Sequence, residues 1–144
     1  MKRGDMPAIL SLERDLFPDD AWTPEMFAAE SAQPASRRLY LVAEEGGALV
    51  GYAGMMFTGG PQADVLTLAV DPAHWGQGAG TALLCALVDE AVKRGHTEVM
   101  LEVRKDNPRA RGLYLRHGFT EIGIRRGYYQ PSGVDAVVMR KALT

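Results

Sequence analysis

The chain has 144 residues, a size for one domain, since a single hydrophobic core accommodates about 100 to 200 residues before a chain divides. Hydrophobic residues at 47% and charged residues at 24% exclude a disordered or low-complexity polypeptide. A net charge of -2, from 16 Lys and Arg against 18 Asp and Glu, excludes the broad electrostatic attraction to nucleic acid or anionic lipid that a basic domain has.

Apolar runs such as Val65 to Val70 and Ala82 to Val88 fall far short of the roughly 20 residues of a membrane-spanning helix. Gly4, Asp5 and Pro7 follow Met1, Lys2 and Arg3 directly, so no signal-peptide apolar region develops. The single cysteine, Cys85, has no internal disulfide partner. The expectation is a cytoplasmic protein with neither a nucleic-acid nor a membrane partner.

In chain order, Asp5 caps a first helix whose apolar stripe of Ile9, Leu10, Leu12, Leu16 and Phe17 stops at Pro18. Thr23, Pro24 and Glu25 open a short second helix through about Glu30. Arg38 to Glu44 and Ala48 to Thr58 read as strands joined by Glu45, Gly46 and Gly47, and Val65 to Val70 as a third strand after Gly59, Gly60 and Pro61. From Thr81, the spacing of Leu83, Leu84, Leu87, Val88, Ala91 and Val92 predicts the longest helix, stopped at Gly95. Glu98 to Val103 reads as a strand and Pro108 to His117 as a helix closed by Gly118. Thr120 to Tyr129 and Val134 to Arg140 read as a closing hairpin around Pro131, Ser132 and Gly133. The order predicts one α/β (α+β) domain over residues 1–144. Its mixed, mostly antiparallel twisted sheet is flanked by helices and contains one strand-helix-strand crossover.

Three features carry chemistry. The run from Asp71 to Gly80 joins a strand to the long helix through Gly76, Gly78 and Gly80, which suits backbone N–H groups at a helix start to an anion such as a pyrophosphate. Taken alone it reads equally well as a tight turn. No Gly-Lys-Ser/Thr follows, and Thr81 displaces the last glycine of the dinucleotide fingerprint. Glu102 lies inside the apolar strand Leu101, Glu102, Val103, Arg104. On the helix-bearing face of the sheet, burial makes it a usable base; on the outer face it is a solvated or ion-paired glutamate. Asn107 caps the following helix, and Tyr114 stands about two turns on, where a tyrosine usually packs with its hydroxyl reaching solvent.

Together these pieces resemble the acetyl-coenzyme A binding core of the Gcn5-related N-acetyltransferases, over Leu66 to Phe119. The series Phe17, Pro18 and Trp22, then Leu101 to Arg104 and Asn107, then Ile124, Arg125, Arg126, Tyr128 and Tyr129, resembles the RimI type, the bacterial ribosomal-protein-alanine N-acetyltransferases. The resemblance implies that Leu68, Ala69 and Val70 pair with the pantetheine arm of acetyl-coenzyme A, the acetyl donor, as an added strand. It implies that Gly76, Gln77, Gly78, Ala79, Gly80 and Thr81 hold the pyrophosphate and that Asn107 contacts the cofactor farther along. It makes Glu102 the general base and Tyr114 the general acid. Tyr128 and Tyr129 are expected to alternate faces along the closing strand, so that one lines a peptide groove while the other packs, with Tyr128 taken as the substrate contact. The function it implies is acetylation of a protein's N-terminal α-amine, that of the terminal alanine of a small-subunit ribosomal protein. The alternatives are a lysine or small-amine acetyltransferase and a non-catalytic acyl-coenzyme A sensor.

The chain departs from the family at two points. Trp75 stands where family members place Gln or Arg, so a side-chain contact to the phosphates is missing or supplied from elsewhere. Only Met1 to Gly4 precede the first helix, where the family has a first strand. Of the remaining candidates, Cys85 reads as a packing residue in the apolar stripe, and His74, His96 and His117 lack metal-ligand spacing, so no metal is expected. Arg125 and Arg126 read as a solvated edge rather than an RNA patch, and Asp19, Asp20, Glu25 and Glu30 as a solvated acidic face.

Overall fold

The computed structural model describes residues 37–57, 59–76 and 78–143. The two expected N-terminal helices, the question of a first strand before them, the acidic face at Asp19 to Glu30 and the residues Phe17, Pro18, Trp22 and Gln77 lie outside the described residues.

Six strands form one sheet in the order β1-β2-β3-β4-β6-β5. They are β1 (Arg38–Glu45), β2 (Ala48–Phe57), β3 (Gln62–Val70), β4 (Glu98–Arg104), β5 (Thr120–Arg125) and β6 (Ala136–Ala142). All neighbours are antiparallel except β3 and β4. That parallel pair requires a crossover, which is α1 (Ala79–Lys93); α2 (Pro108–Arg116) joins β4 to β5. The expected fold class and element order hold throughout this region.

The 3.6-residue spacing of α1 turns Leu83, Leu84, Leu87 and Ala91 onto the sheet. They meet Ala53 and Met55 of β2, Val99, Leu101 and Val103 of β4, and Val137 and Met139 of β6, with Tyr114 and Phe119 completing the core. Truncating Leu84, Leu87 or Leu101 to Ala costs about 2–5 kcal/mol, because each is fully enclosed. Cys85 corrects its packing assignment: it is exposed, since it falls on the side of α1 opposite the leucines. In β4 the strict alternation buries Val99, Leu101 and Val103 and puts Glu98, Met100, Glu102 and Arg104 on the other face.

Several boundaries move: β3 begins at Gln62 rather than Val65, and β6 spans Ala136–Ala142 rather than Val134 to Arg140. The long helix begins at Ala79, not Thr81, so the end of the glycine loop is itself the first helical turn. The closing hairpin is shorter than expected, because β5 ends at Arg125. The Asp135 carboxylate accepts from the Gly127 N–H at 2.9 Å, and the Tyr129 N–H donates to the Val134 carbonyl at 3.1 Å. Those bonds replace the ladder with a loop. Tyr128 and Tyr129 therefore do not alternate along a strand; their rings pack edge to face with centroids 5.1 Å apart.

Among the described residues, no helix is long and apolar enough to cross a membrane, and no group of three or more His, Cys, Asp or Glu side chains converges to hold a metal ion.

Candidate active site

The parallel pairing of β3 with β4 runs only from Gln62 opposite Glu98 to Val65 opposite Leu101. Beyond that point the strands part, and no described strand pairs with this side of β3. Glu102 is the first β4 residue past the fork. On its other side β3 stays paired with β2 to Val70, and the Asp71 N–H donates to the Val50 carbonyl at 2.8 Å. By the alternation of an antiparallel ladder, this turns the N–H and C=O of Ala69 toward β2 and those of Leu68 and Val70 toward the open edge. Of the three residues expected to pair with an added strand, Leu68 and Val70 carry the outward-turned groups and Ala69 stands between them on the cleft wall.

A cleft of about 1020 Å³ follows this edge. Its floor is the start of α1. Gly78, at φ +86°, is the residue before the first turn, and Gly76 has φ +81°, conformations that a side chain resists. The first bond of the helix runs from the Ala82 N–H to the Gly78 carbonyl at 2.9 Å, so the N–H groups of Ala79, Gly80 and Thr81 have no acceptor within the helix. All three residues line the cleft. Gly80 also lets the helix approach α2: a Cβ there would stand 3.3 Å from Leu113 Cδ2.

The opposite wall is the start of α2. The Asn107 side-chain oxygen accepts from the Ala110 N–H at 3.1 Å, and Pro108 fills the first helical position, so both starting signals in the sequence act as read. With its oxygen committed to the helix, the Asn107 amide has its NH₂ left as the donor group on the cleft wall. Sequence reasoning missed Arg104, Asp106, Arg109, Leu113 and Arg116, which share this wall. Arg104 closes the Leu101 to Arg104 motif without being read as a cleft residue, and only the fold brings these side chains opposite the glycine loop.

Glu102 faces away from the core and is half-buried, with Arg125 Nη1 at 3.0 Å from its Oε1. The ion-paired alternative is therefore the one realised, and the buried-face alternative is corrected: strand alternation gives the helix-bearing face to Leu101 and Val103. Tyr114 is 5% exposed and packs edge to face on Phe119. Burial pushes its hydroxyl far above its ordinary pKa, so it is neutral at any physiological pH.

Burial raises the pKa of the Tyr129 hydroxyl strongly, and Tyr128, Glu102 and Tyr114 all raise it further. Tyr129 is therefore within electrostatic reach of both Glu102 and Tyr114. Tyr128 is exposed, with its ring 5.0 Å from the Arg125 guanidinium. Burial raises its pKa first and the Glu102 charge next. The structure thus separates two subsites: an elongated cleft along β3, α1 and α2, and a patch of Glu102, Arg125, Tyr128 and Tyr129 beside the fork.

Comparison with known proteins agrees with this geometry. The sequence profile of the Acetyltransferase (GNAT) family matches residues 6–119. A Mycobacterium tuberculosis protein named N-alpha-acetyltransferase RimI is 44% identical over 145 residues, covering 98% of this chain and 89% of that protein. The [ribosomal protein bS18]-alanine N-acetyltransferase of Escherichia coli is 35% identical over 143 residues, covering 96% of this chain and 92% of that one. The crystal structure of the ribosomal-protein-S18-alanine N-acetyltransferase from Escherichia coli superposes with a TM-score of 0.84 at 34% identity, covering 100% of this chain and 91% of that chain. A profile match over most of the chain, together with near-complete coverage of relatives this similar, shows that the chain belongs to the GNAT acetyltransferase family.

Proposed function

We propose that this protein transfers the acetyl group of acetyl-coenzyme A to the N-terminal α-amine of a protein, and that its substrate is the terminal alanine of ribosomal protein bS18. The observation that carries the reading is the fork: it sets an open backbone edge and a glycine-lined helix start on one side of Glu102, and two tyrosines and an arginine on the other.

The residues present fit the cofactor. The outward N–H and C=O groups of Leu68 and the N–H of Val70 suit an extended chain carrying amides. The N–H groups of Ala79, Gly80 and Thr81 at the positive end of the α1 dipole suit a diphosphate, with Gly76 and Gly78 taking the left-handed conformations that lead into them. Asn107 offers its NH₂ farther along the same wall.

When bound, acetyl-coenzyme A supplies a thioester as the acyl donor. A protein α-amine has a pKa near 8, so most of it arrives as an ammonium at neutral pH and must lose a proton before it attacks. Glu102 takes that proton, directly or through one water, while Arg125 holds the carboxylate in place. Backbone N–H groups on the open edge of β3 nearest the fork are the donors available to charge developing on the acyl oxygen. The Tyr114 hydroxyl, kept neutral by burial, retains a proton to give to the departing sulfur. Tyr128, exposed beside Glu102, forms the wall against which the first residues of the substrate lie.

The test is incubation of purified bS18 with the protein and acetyl-coenzyme A, followed by peptide mapping. Acetylation of the terminal alanine alone is expected; acetylation only at lysines reassigns the enzyme to side chains, and absence of acetylation with tight coenzyme A binding reassigns it to sensing.

A further inference from the structure

The cleft is bridged at its mouth by a side-chain pair that no sequence motif marks. Trp75 follows the short turn at Pro72–His74, and its indole N–H donates to the Val70 carbonyl at 2.9 Å. That carbonyl is one of the groups turned toward the open edge. The other element of the pair comes from the opposite wall. The Arg109 guanidinium, in the first turn of α2, lies over the Trp75 ring at 4.3 Å from its centroid. A chain of contacts thus crosses from β3, through the indole, to α2.

Arg109 is placed where a cation is poorly supported. The first turn of a helix is its positive end, and α2 has no acidic residue there to compensate. Asp106, the nearest carboxylate in sequence, is engaged by Arg104 at 3.0 and 3.2 Å. Arg109 makes no ion pair with any described residue. Across the cleft, α1 also starts without an acidic residue. Two helix starts and an unneutralised guanidinium therefore converge on one cleft, an arrangement that favours an anion strongly and is unfavourable without one.

We propose that Trp75 and Arg109 act as one unit of the cofactor site: the indole, anchored on the Val70 carbonyl, holds the Arg109 guanidinium over the glycine loop as the charged contact for the diphosphate of coenzyme A. Trp75 is the positioning residue and Arg109 the contact. The contact holds the guanidinium over the ring while its N–H groups make no ion pair with any described residue, a placement that an aliphatic residue at position 75 would not give. The indole also occupies the Val70 carbonyl, so Val70 serves the bound chain through its N–H only.

This inference rests on the coenzyme A reading above, and the experiment separates the two. Binding of coenzyme A and of 3′-dephospho-coenzyme A is measured by isothermal titration calorimetry for the unmodified protein and for Arg109→Ala, Trp75→Ala, Trp75→Phe and the double alanine variant. Arg109→Ala is expected to weaken both ligands alike by about tenfold, the size of one lost hydrogen-bonded charge contact. Trp75→Ala should lose a similar factor, Trp75→Phe less because the ring face remains, and the double variant no more than Arg109→Ala alone. Both sites are exposed, so folding is preserved, and circular dichroism checks it. Binding by Arg109→Ala within about twofold of the unmodified protein overturns the proposal. So do losses that multiply in the double variant, or a loss confined to coenzyme A, which would assign Arg109 to the 3′-phosphate. Failure of the unmodified protein to bind either ligand overturns the coenzyme A reading itself.

Discussion

Arg125, on the outermost strand, reaches across β6 to Glu102, placing Nη1 3.0 Å from Oε1. The same guanidinium lies 5.0 Å from the centre of the Tyr128 ring. One arginine therefore touches both Glu102 and Tyr128 and holds the carboxylate in place. The pair is too exposed to stabilise the fold appreciably; such pairs contribute about 0–1 kcal/mol. Arg125→Gln is expected to lower kcat/KM for the peptide by about tenfold, as loss of orientation does, with a melting temperature close to that of the unmodified protein. A large loss of stability, or unchanged kinetics, would contradict the positioning role.

Glu102→Gln preserves shape and removes the proton acceptor. Turnover should fall by about 10²–10⁴, the range for one general base. Calorimetric affinity for coenzyme A should be unchanged, because Glu102 does not line the cleft.

Tyr114→Phe removes a hydroxyl and leaves the ring on Phe119. Turnover should fall by about 10²-fold, with coenzyme A affinity retained. The same variant tests the titration. Burial raises the folded-state pKa of Tyr114 above its ordinary value of 10.0. Its contribution to stability is therefore complete below pH 10 and declines above it, where the unfolded chain releases a proton that the folded chain keeps. The melting temperature of the unmodified protein should drop as pH rises past about 10, and the drop should be shallower in Tyr114→Phe. Tyr129, raised for the same first reason, accounts for part of the remaining slope.

The helix starts give two stability predictions. Gly78→Ala puts a side chain at φ +86° and should cost about 1–2 kcal/mol in urea unfolding, together with weaker coenzyme A binding. Asn107→Ala removes the acceptor for the Ala110 N–H and should cost about 1 kcal/mol.

Much of this was legible in the sequence because the signals are local. Asn107 followed by Pro108, the leucine spacing of α1 and the stop at Gly95 each act within one or two turns, and each element appears where they place it. The glycine loop was legible as a cradle but not as the first helical turn, since Ala79 and Gly80 carry no starting signal of their own. The end of β5 was hidden because the bond that stops it runs from Gly127 to Asp135, eight residues away. The site was legible only in part. Strand alternation put Glu102 on one of two faces, and only the core partners of Leu101 decided which. Arg109 on Trp75, and the electrostatic influence of Glu102 and Tyr114 on Tyr129, are relations across the fold that no spacing encodes.

The acceptor in the proposed reaction is a protein α-amine. Intact-mass analysis of synthetic peptides tests it most directly: alanine-starting peptides with a free amino terminus are compared with the same peptides blocked at the terminus and carrying a lysine, all incubated with the protein and acetyl-coenzyme A. The account predicts the gain of a single acetyl group on the free-terminus peptides and none on the blocked ones. Acetylation of the blocked, lysine-bearing peptides with the free termini untouched would contradict it.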